Sequence, residues 1–413
     1  MTMLLGRRGL LRAGLAATAL PGLRGMAFAD TAPGLAAARE VPLLILVFLR
    51  GGMDGLHFLS PADDRDFVEL RIPTLRNAAE GERAGERLDA VPGTDFRLHP
   101  EAAALAGIWR EGRMAIWPAA GVPQPTRSHF EAQAIMGWGQ GKSGEAHARA
   151  GWLAAWAEAT GGAAPVVALS GQDRPVAELI GGRRGLAVPT LARGLEMPGG
   201  EFGTAMLEAL HMRAHGPVAE AGQAALASLR GLDRLLPRNA AGQVQAYAPA
   251  NGADYGPAAE FGRGLATVAQ VARLQPGLTA AAVDLGGWDT HDGQAGRFEN
   301  RVRVLNRGLA AVDADLRDLP RRWTVLVTSE FGRRLRANRS GGTDHGRAGT
   351  VFAFGGGGSR RFGLGRQFGR WPGLAGEALE DGVDLRVATD YRDAFRQVVA
   401  ELAPEAPAPF GKG

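Results

Sequence analysis

One pattern constrains this chain more than any other. A short, mostly apolar run recurs five times, unbroken at residues 41–49 and in similar form at 113–120, 278–285, 323–328 and 350–354. Four of the five break into a loop that carries an acid, a histidine or a hydroxyl. A strand wet on one face alternates apolar and polar residues; an unbroken run is buried on both faces, as in a parallel sheet covered by helices. Apolar residues at helical spacing fill the intervals, at 102–110, 218–236, 258–274, 298–316 and 391–402. Strands alternating with helices predict an α/β domain with a mostly parallel central sheet. Residues 30–413 read as one such domain, with a helical insertion or cap within about 151–277, where the pattern is less regular.

The first 29 residues stand apart. Arg7, Arg8 and Arg12 precede an apolar stretch, and Ala27-Phe28-Ala29 offers a small-residue cleavage site before Asp30. Charged head, short apolar middle and A-x-A site predict a signal peptide over residues 1–29, and the paired arginines predict the twin-arginine export machinery as its partner. The mature protein is then expected in the periplasm or outside the cell. No later segment reaches about 18 uninterrupted apolar residues, so no membrane span is expected.

Charge and cysteine content narrow the chemistry. The chain has no cysteine, which excludes a disulfide framework, a thiolate nucleophile and a Cys-built metal site. Its net charge of +4 comes from the four arginines of the leader; the remainder holds 43 basic and 43 acidic residues. A nucleic-acid footprint is therefore not expected. No G-x-S-x-G elbow occurs.

The polar residues fall where chemistry would sit. In open α/β sheets ligands bind beyond the carboxyl ends of the strands. Asp54, Ser128, Asp289, His291 and Glu330 follow apolar runs, and Asp344 and His345 precede another. Asp54 and Asp344 lie among glycines and read equally as turn residues; Asp289 reads equally as a cap. Glu330 ends an apolar run, where a carboxylate is costly to bury unless paired or bound to a metal. Carboxylates and imidazoles together suit a divalent metal, Zn, Mn or Ca. Ser128 with Glu131 spells a capping box, yet a hydroxyl at a helix start also suits anion binding and, beside a metal, nucleophilic attack. Thr126 is the competing hydroxyl, and Arg127 is a candidate partner for a phosphate or sulfate oxygen.

These motifs resemble a known family. Residues 49–56, with Gly51-Gly52-Met53-Asp54-Gly55, then Thr126-Arg127-Ser128-His129-Phe130, Gly151-Trp152-Leu153, Trp288-Asp289-Thr290-His291, Ser329-Glu330-Phe331-Gly332-Arg333 and Gly342-Thr343-Asp344-His345-Gly346, resemble the family called domain of unknown function 1501. That family is similar to the alkaline phosphatase and sulfatase superfamily. The resemblance implies an alkaline-phosphatase-like three-layer α/β/α sandwich and a metal-dependent hydrolytic site. It implies that Asp54 is a metal ligand, that Ser128 occupies the nucleophile region, and that Asp289, His291 and His345 share a metal site. It also implies that Glu330 stands for the aspartate of an Asp-His pair. Phe331 replaces the histidine of that pair, which argues for one metal, or a weakly held pair, rather than two full sites. Pro123 stands where a sulfatase would carry its modified residue, which argues against that chemistry. The expected function is an exported metal-dependent hydrolase of phosphate or sulfate esters, its anionic ester attacked by Ser128 and steadied by Arg127. The metal ligands expected are Asp54, Asp289, His291, Glu330, Asp344 and His345. The alternative is a non-catalytic periplasmic binding or envelope-assembly protein on a hydrolase-like scaffold.

Overall fold

The computed structural model describes residues 41–410 except 82, 140–149, 162–163, 165, 196–198 and 359–361. The signal peptide expected over residues 1–29 lies outside the described residues.

All five apolar runs form strands of one eight-stranded sheet. In chain order its strands are β1 (Leu43–Leu49), β2 (Met114–Gly121), β3 (Ala168–Ser170), β4 (Gly185–Ala187), β5 (Ala280–Leu285), β6 (Trp323–Thr328), β7 (Gly349–Gly356) and β8 (Thr389–Asp390). Across the sheet they run β8-β2-β7-β6-β1-β5-β3-β4. Every pairing is parallel except those of β7, which is antiparallel to both β2 and β6. The fold is therefore α/β with a large, mostly parallel sheet, as expected.

The side chains of β1 show why the run is unbroken. Leu43, Ile45, Val47 and Leu49 pack into one core with helices α1 (Ala103–Arg110), α6 (Ala259–Leu274) and α7 (Gln294–Leu316). Leu44, Leu46 and Phe48 pack into another with α2 (His129–Trp138), α3 (Trp152–Thr160) and α8 (Tyr391–Leu402). Successive side chains of a strand face opposite ways, so helices on both faces require apolar residues at every position. Burying a Leu or Val side chain on either face contributes about 1.5–3 kcal/mol.

The segment 151–277 is more than a helical insertion. It supplies α3 and α6 to the two helical layers and β3 and β4 to the sheet edge. Only α4 (Gly200–Arg213) and α5 (Pro217–Asp233) stand as an added hairpin, and α4 buries none of its residues. The edge strands are three residues each, too short to carry a periodic signal.

The single reversed strand decides what the fold can bring together. The loops after β1, β2, β5 and β6 leave the carboxyl ends of parallel strands. β7 runs the other way, so the loop entering it arrives at that same rim. Asp344 and His345 thereby join residues that follow the other strands.

A buried network ties α7 to the segment before α6. Asp315 is fully buried on α7 and accepts hydrogen bonds from the hydroxyls of Tyr247 and Tyr255, each at 2.8 Å, from the amide of Ala250 at 3.0 Å and from Arg273 Nε at 3.1 Å. Asp315→Ala would strand these donors, Arg273 among them, in a poorly hydrated place. It is expected to cost about 3–5 kcal/mol, read as a lowered midpoint of denaturant unfolding.

Candidate metal centre

The site assembles from four loops at the sheet rim, those after β1, β2 and β5 and the one that joins β6 to β7. Its geometry starts with Glu330, the first acid after β6, which is fully buried. Its Oε1 accepts from the Gly51 amide at 2.9 Å, from Gln133 Nε2 at 2.8 Å and from His129 Nδ1 at 2.7 Å. His129 and Gln133 lie four residues apart on α2, hence on one helical face. Burial pushes the Glu330 carboxyl up, but the hydrogen bonds from His129, its surroundings and Gln133 outweigh it, and the net shift is downward. Glu330 thus reaches the centre by orienting His129.

Gly51 permits this arrangement. Its φ of +120° is one that L side chains rarely adopt, and a Cβ there would stand 2.5 Å from the backbone nitrogen of Asp289. The loop after β1 can therefore lie directly against the loop after β5 while donating its amide to Glu330.

Two further imidazoles are fixed in the same way. His345 Nδ1 donates to the carbonyl of Arg127 at 2.8 Å, since a carbonyl can only accept. His291 Nδ1 donates to Asp344 Oδ1 at 3.2 Å, and Asp344 is itself steadied by Asn338 Nδ2 at 3.1 Å. In all three rings the Nδ1 proton is committed outward, so in the neutral ring Nε2 presents a lone pair.

Those lone pairs converge on Asp289. His291 Nε2 and His345 Nε2 are 3.0 Å apart, and they lie 3.0 and 3.1 Å from Asp289 Oδ1. His129 Nε2 stands 3.5 Å from Asp289 Oδ2; it is shielded from solvent and has no hydrogen-bond partner among the described residues. One ligand atom each from His129, Asp289 and His345 lies within 4.8 Å of the others. With metal–nitrogen bonds of 2.0–2.1 Å, neighbouring ligands of a tetrahedral ion sit about 3.3 Å apart. The contacts of 3.0–3.5 Å bracket that spacing, although His291 stands near Asp289 and His345 alone and lies outside the group of three.

Arg333 completes the surroundings. It is buried, donates to Asp289 Oδ1 at 2.5 Å and bonds the carbonyls of Gly52 and Thr343 at 2.7 and 2.8 Å. Partial burial raises the Asp289 carboxyl, but hydrogen bonds from Arg333 and His345 outweigh it and hold it at about 2. Burial lowers His345, whereas the hydrogen bond to Glu330 raises His129. The ring of Phe331 packs against His129 and His345, each centroid pair 4.8 Å apart.

The sequence-predicted residues therefore divide. Asp289, His291 and His345 meet. Glu330 and Asp344 are present as groups that aim His129 and His291. Asp54 goes elsewhere: it is fully buried, pairs with Arg71 at 2.5 Å, accepts from Gln294 Nε2 at 2.7 Å and caps the short helix Gly55–Phe58. Its charge is met by a guanidinium, and it makes no contact with the imidazoles. Ser128 is the N-cap of α2, its Oγ 3.5 Å from the Glu131 amide. Thr126 donates to Glu131 Oε2 at 2.8 Å. The side chain of Arg127 turns away to pair with Asp384, so only its backbone carbonyl serves the centre. His129 is the residue that sequence reasoning missed as a ligand. Its signal was present, because it opens the helix that follows β2 and stands four residues before Gln133.

A family model described as "Protein of unknown function (DUF1501)" matches residues 93–389, most of the chain. The chain belongs to that family. The matched span of this DUF1501 member holds His129, Asp289, His291, Glu330, Asp344 and His345 and leaves out Asp54. No curated protein and no solved structure matches the chain.

Removing the partner of a ligating histidine typically weakens metal affinity about 10–100-fold. Glu330→Gln, which keeps the shape but not the charge, is expected to weaken divalent-metal binding by that factor in a chelator-competition titration.

Proposed function

We propose that this DUF1501 protein is an exported, metal-dependent hydrolase of phosphate or sulfate esters, built on an alkaline-phosphatase-like sandwich. The observation that carries the reading is the acceptor-only cluster of His129, His291, His345 and Asp289. Three nitrogen lone pairs and a carboxylate are a donor set for a divalent ion such as Zn or Mn, and less so for Ca, which prefers oxygen. When bound there, such an ion would polarise the ester oxygen and lower the pKa of a coordinated water.

The chain's own groups have separate tasks. His129, His291, His345 and Asp289 would hold the ion, and Glu330, Asp344 and the Arg127 carbonyl keep the three rings in the ligating tautomer. Arg333 keeps Asp289 ionised. The imidazoles are partly exposed, and about half of the Asp289 side-chain surface is open, so an ester can approach from solvent. Among the described residues Ser128 meets no base: its one hydrogen-bond partner there is the Glu131 amide. Water is therefore the nucleophile favoured by this geometry, with Ser128 acting as a helix cap. The leader read in the sequence supports export, and among the described residues no helix is long and apolar enough to cross a membrane.

Elemental analysis of protein purified without added metal is expected to show about one divalent ion per chain, as a single cluster of donors requires. Chelation should abolish cleavage of an activated aryl phosphate or sulfate ester. His129→Ala should lose both metal and activity, whereas Ser128→Ala should keep turnover within about tenfold; a complete loss in the latter would make Ser128 the nucleophile. Metal without any ester cleavage would favour the binding-protein reading.

Export has its own readout. The amino terminus of protein recovered from the periplasm or medium is expected at Asp30, and replacing Arg7 and Arg8 by lysine should leave the uncut precursor inside the cell.

A further inference from the structure

A cleft with a mainly apolar lining lies beside the metal loops. It has a volume of about 650 Å³ and opens between α6, α7 and the carboxyl end of β5, a size common for small-molecule sites. Gly286 and Gly287 line it, and Asp289 follows two residues later. Two residues of chain span at most about 7 Å, so the cleft and the cluster share one loop.

Two arginines face this space, Arg263 from α6 and Arg301 from α7. Neither forms an ion pair or side-chain hydrogen bond among the described residues; Arg301 is half-buried and Arg263 exposed. Arg301 lies across the shared loop: a Cβ on Gly287 would meet its Cδ at 3.1 Å and its Nη1 at 3.7 Å. The acids of the lining do not cancel them. Asp284 gives its Oδ2 to Arg50 Nε at 3.0 Å and to Gln172 Nε2 at 3.3 Å, and among the described residues neither it nor Glu260 pairs with Arg263 or Arg301.

We infer that this cleft is a subsite for an oxyanion, and that the substrate carries a second, non-reacting anionic group which Arg301 and Arg263 hold while the ester lies at the metal cluster. Guanidinium presents paired N–H donors that match carboxylate, phosphate and sulfate oxygens. The role in catalysis rests on the hydrolase reading; the capture of an anion does not. The preferred substrates are then esters with two separated anionic groups, and neutral-tailed esters bind less well.

The test titrates inorganic phosphate by calorimetry into the full-length protein stripped of metal with chelator. Wild type and His345→Ala are expected to bind it alike in the millimolar range. The double variant Arg263→Gln, Arg301→Gln should bind at least about tenfold more weakly, because hydrogen bonds to charged groups contribute about 1.5–3 kcal/mol. Thermal unfolding of each variant checks that it is folded. Equal binding by the double variant, loss of binding in His345→Ala, or no binding by wild type at millimolar phosphate would each overturn the inference. Absence of metal from the purified protein would refute the hydrolase reading and leave this titration unaffected.

Discussion

Electrostatic repulsion among like-facing lone pairs is the constraint on which this site depends. Three imidazoles give their Nδ1 protons to a carbonyl and two carboxylates, and so turn three acceptors toward a fourth, Asp289. Two nitrogen lone pairs facing each other at 3.0 Å are unfavourable unless a positive charge lies between or beside them. A proton can supply it for one pair. A divalent ion supplies it for all four groups at once. Arg333 supplies part of it permanently, from the side of Asp289 facing the core. The outward hydrogen bonds fix the rings and the inward lone pairs create the demand for charge, so orientation and affinity have the same origin.

The sheet makes this convergence possible. In a wholly parallel sheet the loop entering a strand lies at the opposite end from the loop leaving its neighbour. β7 is reversed, and its leading loop carries Asp344 and His345 to the rim where β2, β5 and β6 deliver His129, Asp289, His291 and Glu330. Each ligand is thus anchored at a strand or helix end with a packed core on both sides, and precise placement needs that rigidity. The close approach of Gly51 to Asp289 closes the gap between the two central loops.

Much of this was legible in the sequence, for a definite reason. Unbroken runs such as that of β1 are a direct consequence of burial on two faces, and the helices between them are long enough to show their period. The three-residue strands β3 and β4 carry no such signature, and an Ala- and Gly-rich segment around them reads as an insertion. At the site, residue types and loop positions identified Asp289, His291 and His345. Sequence could not separate a ligand from the group behind it, because Glu330 and Asp344 sit in the same loops and have the same chemistry as a ligating acid. That division depends on which way a side chain turns. His129 was overshadowed by Ser128, whose helix-capping position suggested a nucleophile.

Asp54 shows how the same physical demand is met by two means in neighbouring loops. A carboxylate removed from water needs a cation close by. For Asp54 the chain provides one, since Arg71 is fully buried against it and Gln294 and the His57 amide satisfy what remains. Nothing in that pocket is left for an ion to neutralise. Asp289 shares its guanidinium with three imidazole lone pairs and stays half open to solvent, so its local charge is incompletely balanced. Phe331 takes the space beside His129 and His345 with an apolar ring, which removes a further place where a ligand could stand. An internal cation on one side and an aromatic wall on the other leave one position with unmet demand for positive charge, so the centre proposed here would hold a single ion.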